Sequence, residues 1–196
     1  MGKVVVITNL TLDGVMQSPG RPDEDTRDSF EHGGWATTFA AMQESGEALA
    51  SMGALLLGRW TYESFFAFFP NQPDNPFTAF LTNIPKYVAS TTLEDPLSWS
   101  NSTLLKGDAT KAVSRLKEEQ NEDLVVFGSG ALVQSLMRSN LVDEYVLLIH
   151  PLVLGSGRRL FTNDRAFAAL TLRDTKTTSK GVVIATYQPA NNSNAA

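Results

Sequence analysis

The sequence predicts an α/β domain, and three observations carry that prediction. Short β-branched and aliphatic runs alternate with helical-period segments through residue 140, and glycines stand where strands hand over to helices. Beyond residue 140, strand-like runs follow one another with little helix between them. Alternation of this kind implies a mostly parallel sheet covered on both faces, and the strand-rich end adds antiparallel edge strands to it.

Taken in order, Val4-Val5-Val6-Ile7 makes 3–10 a strand of the type buried on both faces. The segment 13–34 turns to Gly, Pro, Asp and Arg, with Pro19-Gly20 as a turn signal. Loops of that length inside a compact domain mark function or mobility. Phe39, Met42, Gly46, Leu49 and Ala50 recur at helical spacing and end at Gly53. Ala54-Leu55-Leu56-Leu57 is a short strand stopped by Gly58. Thr61 is placed to cap a helix presenting Tyr62, Phe65, Phe66 and Phe69, which Pro70 closes. Tyr87-Val88-Ala89-Ser90 forms the next strand. Asp108 caps a helix with Ala112, Val113 and Leu116 inward. Leu124-Val125-Val126-Phe127 is a buried strand, followed by Gly128-Ser129-Gly130 and a helix with Leu132, Val133, Leu136 and Met137 on its inner face. The late strands are 145–150 and 181–187. The tail 188–196, rich in Asn, Ala and Ser, is expected to be disordered, which leaves 1–187 as one domain.

Composition narrows the function. The chain has 196 residues, 16 Lys+Arg against 21 Asp+Glu, a net charge of -5 and no cysteine. Disulfides, iron–sulfur clusters and thiolate zinc sites are excluded, since all need cysteine. With only His32 and His150, a dedicated transition-metal site is not expected. An acidic balance argues against a general nucleic-acid binder, whose footprint is basic. No apolar stretch approaches the roughly 20 residues of a membrane span, and no signal peptide is recognisable, so a soluble cytoplasmic protein is expected. Neither a G-x-S-x-G nucleophile elbow nor a Walker loop is present.

What remains is a set of strand ends carrying small or hydroxyl residues, the place where open α/β sheets bind ligands. At Gly128-Ser129-Gly130-Ala131-Leu132, glycines between a buried strand and a helix let backbone amides approach a phosphate at the positive helix end. The same residues would also suit a tight turn, and Val133 stands where a full dinucleotide fingerprint has its third glycine. At Gly58-Arg59-Trp60-Thr61 a guanidinium and a hydroxyl meet another helix start, where a cation opposes the dipole unless an anion joins it. Ser90-Thr91-Thr92 places three hydroxyls after a further strand. Asp13 is either a substrate contact or proton relay, or simply the first residue of an Asp-Gly turn. Trp35, after Gly33-Gly34, is either a cleft wall or a core aromatic.

These pieces resemble a known family. Thr11-Leu12-Asp13-Gly14, Gly33-Gly34-Trp35, Leu57-Gly58-Arg59-Trp60-Thr61-Tyr62-Glu63, Pro85-Lys86-Tyr87-Val88-Ala89-Ser90, Trp99-Ser100-Asn101-Ser102, Gly128-Ser129-Gly130 and Pro151-Leu152-Val153-Leu154-Gly155-Ser156-Gly157-Arg158-Arg159-Leu160-Phe161 follow the order and spacing of the reductase domain at the C-terminus of riboflavin-biosynthesis deaminase-reductases, in its stand-alone, dihydrofolate-reductase-like branch. The resemblance covers roughly residues 3–187. It implies a three-layer α/β/α dihydrofolate-reductase-like fold that binds NADPH and is commonly a homodimer. By that likeness Gly58, Arg59 and Thr61 approach the adenosine 2′-phosphate, with Ser90 and Thr91 on its other side. Gly128, Ser129, Gly130, Ala131 and Leu132 hold the pyrophosphate. Asp13 and Trp35 belong to the catalytic side, where hydride reaches a carbonyl- or imine-like carbon of a small substrate.

One departure bears on substrate. Folate reductases carry a carboxylate shortly after the loop tryptophan, whereas Trp35 here is followed by Ala36-Thr37-Thr38-Phe39-Ala40-Ala41. Folate turnover is therefore not expected. A ribose-phosphate substrate would need further cations, for which Arg21, Arg27, Arg158 and Arg159 are candidates. The alternative is a non-catalytic nucleotide-binding dimer of the same fold. Self-association has one further argument: Tyr145-Val146-Leu147-Leu148-Ile149 is apolar in succession where an antiparallel edge commonly shows a polar face.

Overall fold

In the computed structural model the described residues are 2–39, 41, 51–72, 76–162 and 168–190. The helix expected up to Gly53 lies largely outside them, as do 191–196 of the tail. In chain order the elements are β1 (Val4–Thr11), β2 (Met52–Gly58), α1 (Arg59–Phe68), α2 (Pro76–Asn83), β3 (Lys86–Ala89), β4 (Ser102–Leu105), α3 (Ala109–Glu119), β5 (Asp123–Phe127), α4 (Gly130–Arg138), β6 (Glu144–His150), β7 (Leu170–Thr177) and β8 (Val183–Pro189). They group into two compact units, residues 1–4 with 51–141, and residues 5–50 with 142–196.

The first unit carries the parallel strands in the order β4-β3-β2-β5. β2 and β5 consist almost wholly of buried aliphatic residues, which is why their sequences run without polar alternation. Each leads through glycine into a helix, β2 into α1 and β5 into α4. α3 is amphipathic as expected. Asp108 caps it by accepting from the amides of Thr110 and Lys111, and Val113 is buried beneath it.

The second unit orders its strands β1-β6-β8-β7, with β1 and β6 parallel and both β6–β8 and β8–β7 antiparallel. Mixed pairing with antiparallel strands at the late end is what the sequence pattern predicts. β6 is already covered by its own chain, Tyr145 to Leu148 being 0–5% exposed. Its apolar run therefore needs no second subunit to bury it, and the argument for self-association loses that support.

Several boundaries differ from expectation. α1 begins at Arg59 with Gly58 as its N-cap, so Thr61 is not the cap but lies inside the first turn. Gly53 belongs to β2, beside a register shift between Met52 and Ala54, and does not end a helix. β8 extends through Pro189, so Gln188 and Pro189 are strand and not tail. Among the described residues, no helix is long and apolar enough to cross a membrane, and no group of three His, Asp or Glu side chains is arranged to hold a metal ion.

Candidate functional site

In the first unit, β2, β3 and β5 are parallel neighbours, so their carboxyl ends emerge on one side, as ligand sites in α/β sheets require. That topology brings most of the candidate nucleotide residues together. Gly128 has φ +54 and Ser129 φ 50, ψ 42, a pair of left-handed residues turning β5 into α4. The turn presses Ser129 against the start of α1. Ser129 Oγ accepts from the Gly58 amide at 2.9 Å and donates to Thr61 Oγ1 at 3.0 Å, and the Ser129 amide donates to the same oxygen at 3.1 Å. A Cβ on Gly128 would approach Thr61 Oγ1 to 3.4 Å, so the close contact and the positive φ both favour glycine.

Proton accounting shows what this knot offers. Thr61 Oγ1 accepts twice, which leaves its own hydrogen to be donated. The first-turn amides of α4, Gly130, Ala131 and Leu132, have no carbonyl partner within their helix. No side chain caps α1 or α4, and neither has an acid in its first turn. α3 makes the contrast, because its own Asp108 fills that position.

Arg59, half exposed, donates from Nε to Glu63 Oε1 at 2.9 Å and from Nη1 to Thr92 Oγ1 at 2.7 Å. Ser90 Oγ accepts from the amides of Thr92 and Leu93, which folds the hydroxyl turn after β3 so that Thr92 faces the arginine. Thr91 is exposed beside it. Thr92 is legible in the sequence as the last of three hydroxyls, whereas Glu63 has no role of its own there. Its signal is present, since Glu63 stands one helical turn after Arg59.

A cavity of about 640 Å³ opens elsewhere in this unit, lined among others by Asn83, Pro85, Pro96, Trp99 and Ser102. These residues flank the amino ends of β3 and β4, so it is not the place where the nucleotide candidates gather.

The second unit holds Asp13 and Trp35. Asp13 follows β1 in a tight turn, and its carboxylate accepts from Thr11 Oγ1 (2.6 Å), Leu154 N (3.2 Å), Gly155 N (2.9 Å) and Arg159 Nη2 (3.3 Å). The hydroxyl of Thr11, with the two backbone amides, holds its pKa down to about 2 against a smaller opposing effect of burial. At neutral pH it is a carboxylate that clasps the loop after β6. Trp35 is 9% exposed and donates from Nε1 to the Gln17 carbonyl at 2.8 Å. Its ring packs with Val15, Phe30, Leu152 and Leu154 and meets His150 edge-on at 5.2 Å. The long segment before it is organised by Gln17, whose amide reaches the Asp25 and Arg27 carbonyls. The four candidate arginines for a ribose phosphate all face aspartates: Arg21 with Asp23, Arg27 with Asp25, Arg158 with Asp28 and Arg159 with Asp13.

Known proteins share this architecture. The "Uncharacterized protein YyaP" of Bacillus subtilis strain 168 is 29% identical over 146 residues, covering 71% of this chain and 75% of its own. A pyrimidine reductase-like protein from Corynebacterium diphtheriae superposes with a TM-score of 0.66 at 11% identity, over 97% of this chain and 93% of that one. Dihydrofolate reductase from Enterococcus faecalis, solved with NADP(H), superposes with a TM-score of 0.61 at 14% identity, over 97% and 98% of the two chains. These likenesses establish a dihydrofolate-reductase-like α/β fold. The family model of the RibD C-terminal domain matches residues 2–184, and the chain belongs to that family.

Proposed function

We propose that this protein is an NADPH-dependent reductase of a small heterocyclic, carbonyl or imine substrate, with negligible turnover of folates. The observation that carries the cofactor is the pair of helix starts, α1 and α4, left without acid or side-chain cap beside Arg59 and the Ser90–Thr92 hydroxyls. Arg59, Thr92 and Ser90 suit the 2′-phosphate. Gly128, Ser129, Gly130, Ala131 and Leu132 suit a pyrophosphate, with the amides of Gly130, Ala131 and Leu132 at the positive end of α4. When bound, NADPH supplies the hydride. The Enterococcus reductase, solved with NADP(H), supports this choice of cofactor through the shared fold. A homodimer and a cytoplasmic setting belong to the same proposal.

An Arg matches phosphate oxygens through a fork of donors. Losing one charge-assisted contact costs about 1.5–3 kcal/mol, roughly tenfold to a hundredfold in affinity. Arg59→Ala should therefore weaken NADPH binding by that factor and leave NADH binding almost unchanged in a fluorescence titration. Equal losses for both nucleotides would remove Arg59 from the 2′-phosphate.

The engagement of Asp13 by four donors favours a second reading, a non-catalytic nucleotide-binding protein. NADPH oxidation in the presence of pterins, pyrimidines and simple carbonyls separates the two. Turnover of any of these substrates supports the enzyme, whereas tight NADPH binding without turnover supports the binding protein.

A further inference from the structure

We infer that Glu63 is a specificity-determining residue, which positions Arg59 so that its two η nitrogens are the edge presented to a phosphate. The inference rests on the cofactor reading above. A guanidinium has two bidentate edges, Nε with one η nitrogen, and the η pair. Glu63 occupies the first, its Oε1 lying 2.9 Å from Nε. Thr92 takes one Nη1 hydrogen at 2.7 Å, and since Ser90 Oγ, 3.4 Å away, already accepts from two amides, the hydrogen of Thr92 remains for an incoming acceptor. An anion arriving at the η edge therefore meets remaining η donors and a hydroxyl together.

Two effects of Glu63 oppose each other. Its charge repels a phosphate, and its hydrogen bond restricts a long side chain that would otherwise sample many rotamers. Arg59 and Glu63 are 50% and 40% exposed, so water screens the repulsion. Rotamer freedom is greatest for such an exposed arginine. Restriction therefore outweighs repulsion, and the carboxylate helps NADPH.

The test is a titration of the protein and its variants with NADPH and with NADH, read by fluorescence, alongside thermal melting as a check on folding. Exposed pairs of this kind contribute up to about 1 kcal/mol, so Glu63→Ala should weaken NADPH binding about three- to fivefold and leave NADH unchanged. Glu63→Gln keeps an oxygen acceptor for Nε and should restore wild-type preference. Tighter NADPH binding in both variants would show that repulsion dominates and overturn the inference. If Arg59→Ala abolishes the preference for NADPH while Glu63→Ala keeps it, the inference alone falls. If Arg59→Ala leaves the preference intact, the cofactor reading falls and takes the inference with it.

Discussion

Asp13 illustrates how a residue can be visible in a sequence while its work is not. The Asp-Gly pair announces a turn, and the carboxylate invites a catalytic role. Of its four donors only Thr11 is local; Leu154, Gly155 and Arg159 come from more than 140 positions away, and no local pattern reveals them. Oδ1 accepts from Thr11 and Leu154, and Oδ2 accepts from Gly155 and Arg159. Asp13→Asn would turn an NH₂ group toward one of those pairs, donor against donor. The expected cost is about 1 kcal/mol or somewhat more, because the site is partly open to water. Urea unfolding at pH 7 should show that loss. A variant as stable as the parent, yet without turnover on a substrate the parent reduces, would instead make Asp13 a catalytic group. Thr61 carries the same lesson: its hydroxyl marks a helix start correctly to within a turn, but a partner from β5's end determines what it bonds.

Among the elements, legibility followed burial. β1, β2, β5 and β6 are buried runs, and their short, continuous β-branched and aliphatic stretches identify them. β7 escaped notice because almost every residue on it is exposed, and pairing with β8 alone makes it a strand. β4 is only four residues long, and α2 lies between Pro76 and Asn83 with just Thr78 and Leu81 buried. Neither had enough of a pattern to register. The loop after β6 was legible as a turn, but not what it packs on. Gly157 has φ +113, and a Cβ there would lie 2.7 Å from Phe30 Cε2 and 2.8 Å from Val15 Cγ1, inside the cluster that holds Trp35. At Gly155, with φ +75, a Cβ meets nothing within 4 Å. Gly155→Ala should therefore cost only the backbone penalty, about 1–2 kcal/mol. Gly157→Ala adds overpacking of about 1–3 kcal/mol. Thermal melting of both variants separates packing from backbone, and equal losses would mean that the loop shifts away from Phe30 without resistance.

At the scale of the whole molecule, the buried titratable groups set how stability responds to pH. His150 is fully buried between Trp35 and Phe39, both edge-on to it. With Asn9 Oδ1 2.9 Å from Nε2, that nitrogen carries the proton, and Nδ1 has no partner among the described residues. A second proton would place an unpaired charge in an apolar pocket, so burial pushes the pKa down to about 4. The unfolded chain takes up that proton near pH 6.5. Between these values the unfolded state binds more protons than the folded state, so stability is complete above about pH 6.5 and falls as the pH drops toward 4. Asp13, held at about 2, continues the loss below pH 4, since its contribution needs the carboxylate. Both groups belong to the second unit. Lys86, in the first, is buried over the Trp99 ring with Nζ on the Thr82 and Ile84 carbonyls, and burial lowers its pKa to about 8. It binds fewer protons when folded, so it adds stability as pH rises from about 8 to 10.5. The acid limb is therefore the one that threatens the fold near neutrality. Unfolding free energy should drop by about 2 kcal/mol from pH 7 to pH 5 through His150 alone. His150→Gln, which cannot titrate, should lose less stability over that interval than the parent, whatever its absolute stability. Denaturant titrations at the two pH values measure both slopes, and parallel behaviour of parent and variant would show that His150 does not control the acid response.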